Sequence, residues 1–497
     1  MRNLSLLLFL VLFPATLDAQ KQNTPVNSDY DRRHPPAVVA TLSPALIQEL
    51  TSIRNTGLTD DYAYQQVAHL TENIGPRPVG SPQAQAAIEY VAGEMRKLGL
   101  EVRLEPVQAR HWIRGAESAE LVEYPGQAPG TTQKVVLTAL GGNHPTPPQG
   151  ITADVVVANS FADLDRLRRE SVAGKIVLFN VAFDKQKAAG GFAGEAYDEA
   201  VLYRGQGAKR ASALGAVASL VRSVGGADYR LPHTGGSTPA EIPAGAVTSE
   251  DADLIAHLAA QGKVRMHLIL TSQTAEDATT YNVVGDLKGS EHPEQIVIVS
   301  GHLDSWDLGT GATDNGTGSM AVLEAARALQ KLGVKPKRTI RFVLFTGEEQ
   351  GLNGSRAYVK AHASELGKIS GVLVHDTGTG KVLTVGLMAN YAAREEMDHL
   401  LYPLAKASGI ELAEPSLRTE GGTDHVPFDE AGVPGFWCVQ DNADYDKTHH
   451  SQADTLDRVR WDDLTEGAQV LAVFAYNVAQ RPDLLPRKPA KPAPPAE

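Results

Sequence analysis

The stretch IVIVSGHLDSWDLGTGATDNGTGSMAVLEAAR (296–327), followed by TIRFVLFTGEEQGLNGS (339–355), decides how this chain folds. IVIVS (296–300) is a short apolar run rich in β-branched residues, and TIRFVLF (339–345) is a second one. Between them, Ser319–Lys331 carries apolar residues at helical spacing. Strand, helix and strand in that order predict a mostly parallel α/β sheet, buried on both faces. GVLVH (371–375) and PGFWCV (434–439) add strands, and Asp462–Val478 closes the pattern with an amphipathic helix.

Outward from this centre, Ala84–Leu98 reads as a helix with Ala87, Val91, Met95 and Leu98 on one face, ended by Gly99. Glu101–Val107 then alternates like a strand. From Trp112 the texture becomes a series of short β-rich runs, Lys134–Ala139, Ala153–Ala158, Gly174–Phe179 and Val264–Leu270, with one helix-like stretch at Gly207–Leu220. If the helix at 84–98 belongs to the α/β part, the chain divides into catalytic segments 46–110 and 281–481 with an insert at 111–280. A chain of 497 residues suits two domains.

The ends and the composition set further bounds. MRNLSLLLFLVLFPATLDA (1–19) has a basic start and an apolar run too short to span a bilayer, the pattern of a signal peptide. Residues 20–45 read as an N-terminal extension and 482–497 as a disordered Pro-rich tail. The expected location is secreted or periplasmic, with no membrane span after signal cleavage. A formal net charge of −13 argues against nucleic acid or an anionic membrane as a partner. The single cysteine, Cys438, permits no internal disulfide and reads as a packed core residue.

In open α/β sheets, chemistry gathers at the carboxyl ends of strands. Those ends carry His302 and Asp304, Glu348 and Glu349, and Asp376, with Asp314 in the following loop and His449-His450 near the end. Taken singly, each has a bland explanation: a Glu-Glu pair is usually solvated surface, and a His-x-Asp is usually a local hydrogen bond. Their concentration at the strand ends of one domain is what carries the reading. Two histidines with three carboxylates exceed one tetrahedral ion and suit two ions sharing a bridging carboxylate. A two-metal hydrolase also needs a carboxylate off the metals as proton shuttle. Adjacent glutamates can divide that work, Glu349 on metal and Glu348 facing substrate. Asp304 suits the hydrogen bond to the other ring nitrogen of His302. Gly316–Ala321 matches a dinucleotide G-x-G-x-x-A, but a long loop separates it from the preceding strand. Its glycines instead fit a tight turn from the Asp314 loop into a close-packed helix.

SGHLDSWDLGTGATDNGTGSMAVLEAAR and FVLFTGEEQGLNGS resemble the co-catalytic zinc aminopeptidases, a family that also holds glutamate carboxypeptidases. HHSQADT (449–455) and GGTDHVPF (421–428) look most like its plasma glutamate carboxypeptidase branch, and GPRPVGSPQAQAAIEYV (75–91) resembles that family's opening helix. The resemblance implies a three-layer αβα zinc-exopeptidase domain with a mixed central sheet and an inserted β-rich protease-associated domain. It implies two Zn2+ ions on His302, Asp314, Glu349, Asp376 and His450, with Asp314 bridging and Glu348 as general base acting through a metal-held hydroxide. His450 is chosen over His449 because H-S-x-x-D-T is the family spacing. His449 stands where many relatives place a Tyr that donates to the carbonyl oxygen, so His449 and Asp424 are candidates for oxyanion or substrate contact. The implied substrates are unblocked dipeptides or the N-terminal residue of short peptides. A glutaminyl cyclase-like acyltransferase and a non-catalytic receptor-like protein are the rivals, and a homodimer stays open.

Overall fold

The computed structural model describes residues 42–489, apart from 57–59, 228, 395, 398–399, 402–411, 413–414, 420 and 442–443. The expected signal segment 1–19, most of the extension 20–45 and the last residues 490–497 lie outside the described residues.

Among the described residues, seven strands form the large sheet: β1 (Glu101–Ala109), β2 (Ala278–Leu287), β3 (His292–His302), β4 (Arg338–Phe345), β5 (Ile369–Val374), β6 (Val382–Gly386) and β7 (Gly435–Gln440). Their order is β1-β2-β4-β3-β5-β7-β6. The central four, β4-β3-β5-β7, are parallel, and the outer pairings are antiparallel. Strands β4 and β5 are buried along their whole length, as expected where both faces are covered. One face packs on helices Thr317–Leu332, Trp461–Gln480, Pro44–Thr56 and Pro82–Lys97. The other carries Asn353–Ala361 and Val426–Glu430, which bring Tyr358 and Phe428 onto Val343, Phe345 and Val372. This is a three-layer αβα domain with a mixed sheet.

The insert is spliced into an antiparallel pair. β1 leaves and β2 returns in continuous register, ending at Ala109 opposite Ala278. A second domain can therefore grow from the open end without breaking a ladder bond. Between these strands lies an eight-stranded sheet spanning Glu117 to Leu270. Its segments 151–158, 176–179, 218–222 and 244–247 run parallel, and helices Ala193–Ala213 and Ser249–Gln261 accompany them. The block is thus mixed α/β rather than simply β-rich. The helix expected at Gly207–Leu220 ends at Ala213, Gly215 turns the chain at φ +84°, and Ala218–Arg222 is a strand. A short Ala-rich apolar run does not tell helix from buried strand by periodicity alone.

The tail also differs from expectation over 482–489. Leu485 is buried, and its N–H donates to Ser370 Oγ at 3.1 Å. Arg487 donates to the carbonyls of Leu366, Ile369 and Gly432, each at 2.8 Å. Proline removes helix propensity but leaves such side chains free to anchor an extended strap. Among the described residues, no helix is long and apolar enough to cross a membrane.

Gly318 shows how closely the first turn of helix Thr317–Leu332 approaches the sheet. A Cβ there would lie 2.2 Å from the carbonyl oxygen of His375 and 2.2 Å from Asn315 Oδ1. Gly318→Ala is expected to lower stability by roughly 1–3 kcal/mol, read from the denaturant midpoint. An unchanged midpoint would contradict the close approach.

Candidate metal centre

The parallel register brings the chemistry together. His302, the last residue of β3, is paired with Phe345 at the end of β4, and Ser300 is paired with Val374 at the end of β5. Glu348 and Glu349 therefore follow β4, and Asp376 follows β5, around the same sheet edge. The Asp314 loop arches over this edge and is pinned from several sides. Arg77 donates from Nε to Leu303 O (2.7 Å), from Nη1 to Thr310 O (2.8 Å) and Gly75 O (3.0 Å), and from Nη2 to Gly311 O (2.8 Å). Asp454 accepts from Thr313 N (2.6 Å), Thr313 Oγ1 (2.8 Å) and Asp314 N (3.2 Å).

Two groups that could each hold a cation result, His302–Asp314–Asp376 and Asp314–Glu349–His450. His302 Nε2 lies 3.2 Å from Asp314 Oδ1 and 3.1 Å from Asp376 Oδ1. His450 Nε2 lies 3.2 Å from Asp314 Oδ2 and 3.0 Å from Glu349 Oε2. Each oxygen of Asp314 thus serves one imidazole. Glu348 Oε2 stands 4.0 Å from His302 Nε2, beside the set. Asp314 Oδ2 and Glu349 Oε1 are buried with no hydrogen-bond donor among the described residues. Orphaned carboxylate oxygens that face two imidazoles call for a cation, and imidazole with carboxylate suits zinc.

His302 Nδ1 lies 3.0 Å from the Asp304 carbonyl oxygen, and His450 Nδ1 lies 3.3 Å from both the Thr234 carbonyl oxygen and Arg204 Nη1, so both Nε2 atoms face into the site. Burial opposes a charge on His302, yet Asp376, with Asp304 and Asp314, outweighs it and holds the ring well above the ordinary histidine value. His450 is likewise raised against burial, by Glu349 and Asp314 among others. Burial pushes Glu348 well above the carboxylate range, with Asp376, Glu349 and Asp424 adding to it against His302. Burial likewise takes Glu349 up to about 7. His450 adopts φ +56°, in the left-handed region. Such strain in a non-glycine residue costs on the order of 1 kcal/mol and gathers at functional sites.

Three expected residues sit differently from the simplest picture. The Asp304 carboxylate is 3.6 Å from His302 Nδ1, while its oxygens accept the backbone N–H of Glu348 (3.2 Å) and Glu349 (3.3 Å). Its main work is to hold the Glu-Glu turn. Asp424 is wholly buried, accepts from Ser355 Oγ at 2.5 Å and is absent from the cavity wall, so a substrate contact is not available to it in this arrangement. His449 is on the wall, but Nδ1–H donates to Tyr445 O (2.9 Å) and Nε2 lies 3.3 Å from His233 Nε2. Burial, with His450, takes its pKa down to about 3. Both ring nitrogens are engaged, which leaves no donor for a carbonyl oxygen.

The cavity over the site measures about 840 Å³ and is walled by both domains. The insert brings Tyr197, Arg204, His233 and Thr234 to His449 and His450. Arg114 fastens it further, donating to Asp307 at 2.8 and 2.6 Å, and Trp112 meets Trp306 edge-on at 5.5 Å. Sequence reading assigned none of these residues a role. Arg77 stood within the quoted GPRPVGS without a role assigned.

The model of peptidase family M28 matches residues 282–475. Carboxypeptidase Q of Homo sapiens is 37% identical over 441 residues, covering 87% of this chain and 88% of its own. The Xenopus laevis carboxypeptidase Q is 38% identical over 444 residues, with the same coverage. Among solved structures, a peptidase M28 precursor from Shewanella amazonensis has a TM-score of 0.82 at 32% identity, covering 90% of this chain and 99% of that one. The zinc aminopeptidase BSAP from Bacillus subtilis has a TM-score of 0.61 at 26% identity, covering 83% and 93%.

The carboxylates around His302 and His450 raise both rings above the ordinary histidine value, so a cation binding there competes with protons. Zinc uptake by metal-free protein near pH 7 is expected to release protons and to weaken steadily on acidification. A pH-indicator titration tests this, and uptake without proton release would contradict it.

Proposed function

Since the chain belongs to peptidase family M28, we propose that it is a two-zinc exopeptidase. It hydrolyses unblocked dipeptides or removes the N-terminal residue of short peptides. The observation that carries this reading is the pair of ligand groups sharing Asp314, with Glu348 beside them and outside both. His302, Asp314 and Asp376 would hold one ion, and Asp314, Glu349 and His450 the other. Zinc bound there would polarise the scissile carbonyl and acidify the attacking water.

The chain's own groups do the rest. Glu348 lines the cavity and takes a proton from the attacking water at its carboxylate. It then delivers that proton to the departing amine nitrogen, a role suited to a carboxyl raised by burial. Asp304 fixes the aim of Glu348 through the backbone N–H it accepts. Walls drawn from both sides of the cavity would shield a bound peptide from part of the bulk water. The apolar segment Leu4–Phe13 supports export to a periplasm or medium.

Glu348→Gln keeps every ligand but removes the shuttle, so kcat should fall by roughly 10²–10⁴-fold with zinc content unchanged. Near-normal turnover would sink the assignment. His302→Ala removes a ligand, and metal analysis of the purified variant should show less zinc than wild type; two full equivalents would count against the ligand role.

A further inference from the structure

The cavity wall carries an arginine that pairs with no carboxylate among the described residues, though its guanidinium lies over the Tyr197 ring at 5.6 Å and Nη1 stands 3.4 Å from His233 Nδ1. Arg204, on the insert helix Ala193–Ala213, is only 8% exposed. Its Nη1 donates to Tyr197 OH (2.8 Å) and Thr234 O (3.2 Å) and stands 3.3 Å from His450 Nδ1. Its Nε is buried without a partner. Among the described residues, Nη2 makes no hydrogen bond and no carboxylate forms an ion pair with the side chain. The guanidinium lies against Gly235, where a Cβ would come within 2.5 Å of its central carbon.

Other arginines show what a settled guanidinium looks like here. Arg77, also buried, spends all three nitrogens on carbonyls. Arg418, also on the wall, pairs with Glu195 at 2.8 Å. Arg110 lines the cavity but is exposed and keeps its water. A buried cation with spare donors and no counter-charge is costly, and here it borders the reaction cavity.

We propose that Arg204 receives the free carboxylate of the substrate, one residue beyond the scissile bond. The position fits the length of a dipeptide. From the scissile carbonyl carbon to the carboxylate carbon there are three bonds, an extended reach of roughly 3.7 Å, and Arg204 Nη1 stands 3.3 Å from Nδ1 of His450, whose Nε2 faces Glu349. A third residue would carry the carboxylate roughly 3.8 Å further on. The planar fork of a guanidinium suits a carboxylate better than a point charge does. This rests on the exopeptidase reading above and narrows its substrates to dipeptides, with the insert supplying the selectivity.

The test uses the zinc-loaded full chain and compares kcat/KM for an unblocked dipeptide, its C-terminal amide and the tripeptide that extends it. Wild type should favour the free dipeptide over both by roughly tenfold or more. Arg204→Met should bring the acid-to-amide ratio to about one, and Arg204→Lys, which keeps the charge and loses the fork, to an intermediate value. Equal rates for acid and amide in wild type would overturn the proposal while leaving the exopeptidase reading intact. So would an Arg204→Met variant that slows both substrates in proportion, because that marks a purely structural role. Failure to hydrolyse any unblocked peptide would instead overturn the exopeptidase reading, and the role of Arg204 with it.

Discussion

The site depends on one carboxylate being shared. Asp314 presents one oxygen to His302 and the other to His450, and this turns two separate strand-end clusters into a single centre. Such sharing requires a rigid loop, because a displacement of an ångström would favour one imidazole over the other. The rigidity comes from groups outside the cluster. Arg77 gathers carbonyls on the approach to Asp314, Asp454 holds the backbone at 313–314, and Asn315 ties the helix entry to the end of β5 through the His375 carbonyl at 2.9 Å. Burying so many acids in one place raises the pKa of several of them, Glu349 and Asp424 to about 7 and Asp454 to about 6. The fold tolerates that concentration because two imidazoles sit at its middle, between the carboxylates.

Much of this was legible in the sequence for a specific reason. Parallel strands buried on both faces are short apolar runs, and the residues just past them converge in space whatever their separation along the chain. His302, Glu348, Glu349 and Asp376 could therefore be placed together from their positions relative to IVIVS, TIRFVLF and GVLVH. Gly318 followed the same logic, since a glycine opening a helix beside a strand end signals close approach rather than nucleotide binding. The resemblance to a known family then separated His450 from its neighbour His449.

What stayed hidden depends on contacts between domains. Nothing in the spacing of Arg204, His233 or Thr234 relates them to His450, more than two hundred residues away in the chain. The helix of the insert was misplaced because Ala-rich apolar runs carry no decisive period. Over 482–489, composition registers proline but not the carbonyls of Leu366 and Ile369 that Arg487 reaches. Asp424 showed the opposite failure: its neighbourhood was right, yet its direction, inward to Ser355, has no sequence signature.

The splice between β1 and β2 gives the molecule an unusual economy of assembly. The carbonyl that faces His450 Nδ1 belongs to Thr234, in the segment between β1 and β2, whose buried clusters are almost entirely its own. Formation of the centre and seating of that domain are therefore thermodynamically reciprocal: whatever affinity the seated insert adds to metal uptake, metal uptake returns to its seating. A nascent chain cannot complete the centre until its two halves have closed around the domain made between them. Hydrolytic competence is thus deferred until the whole chain is in place.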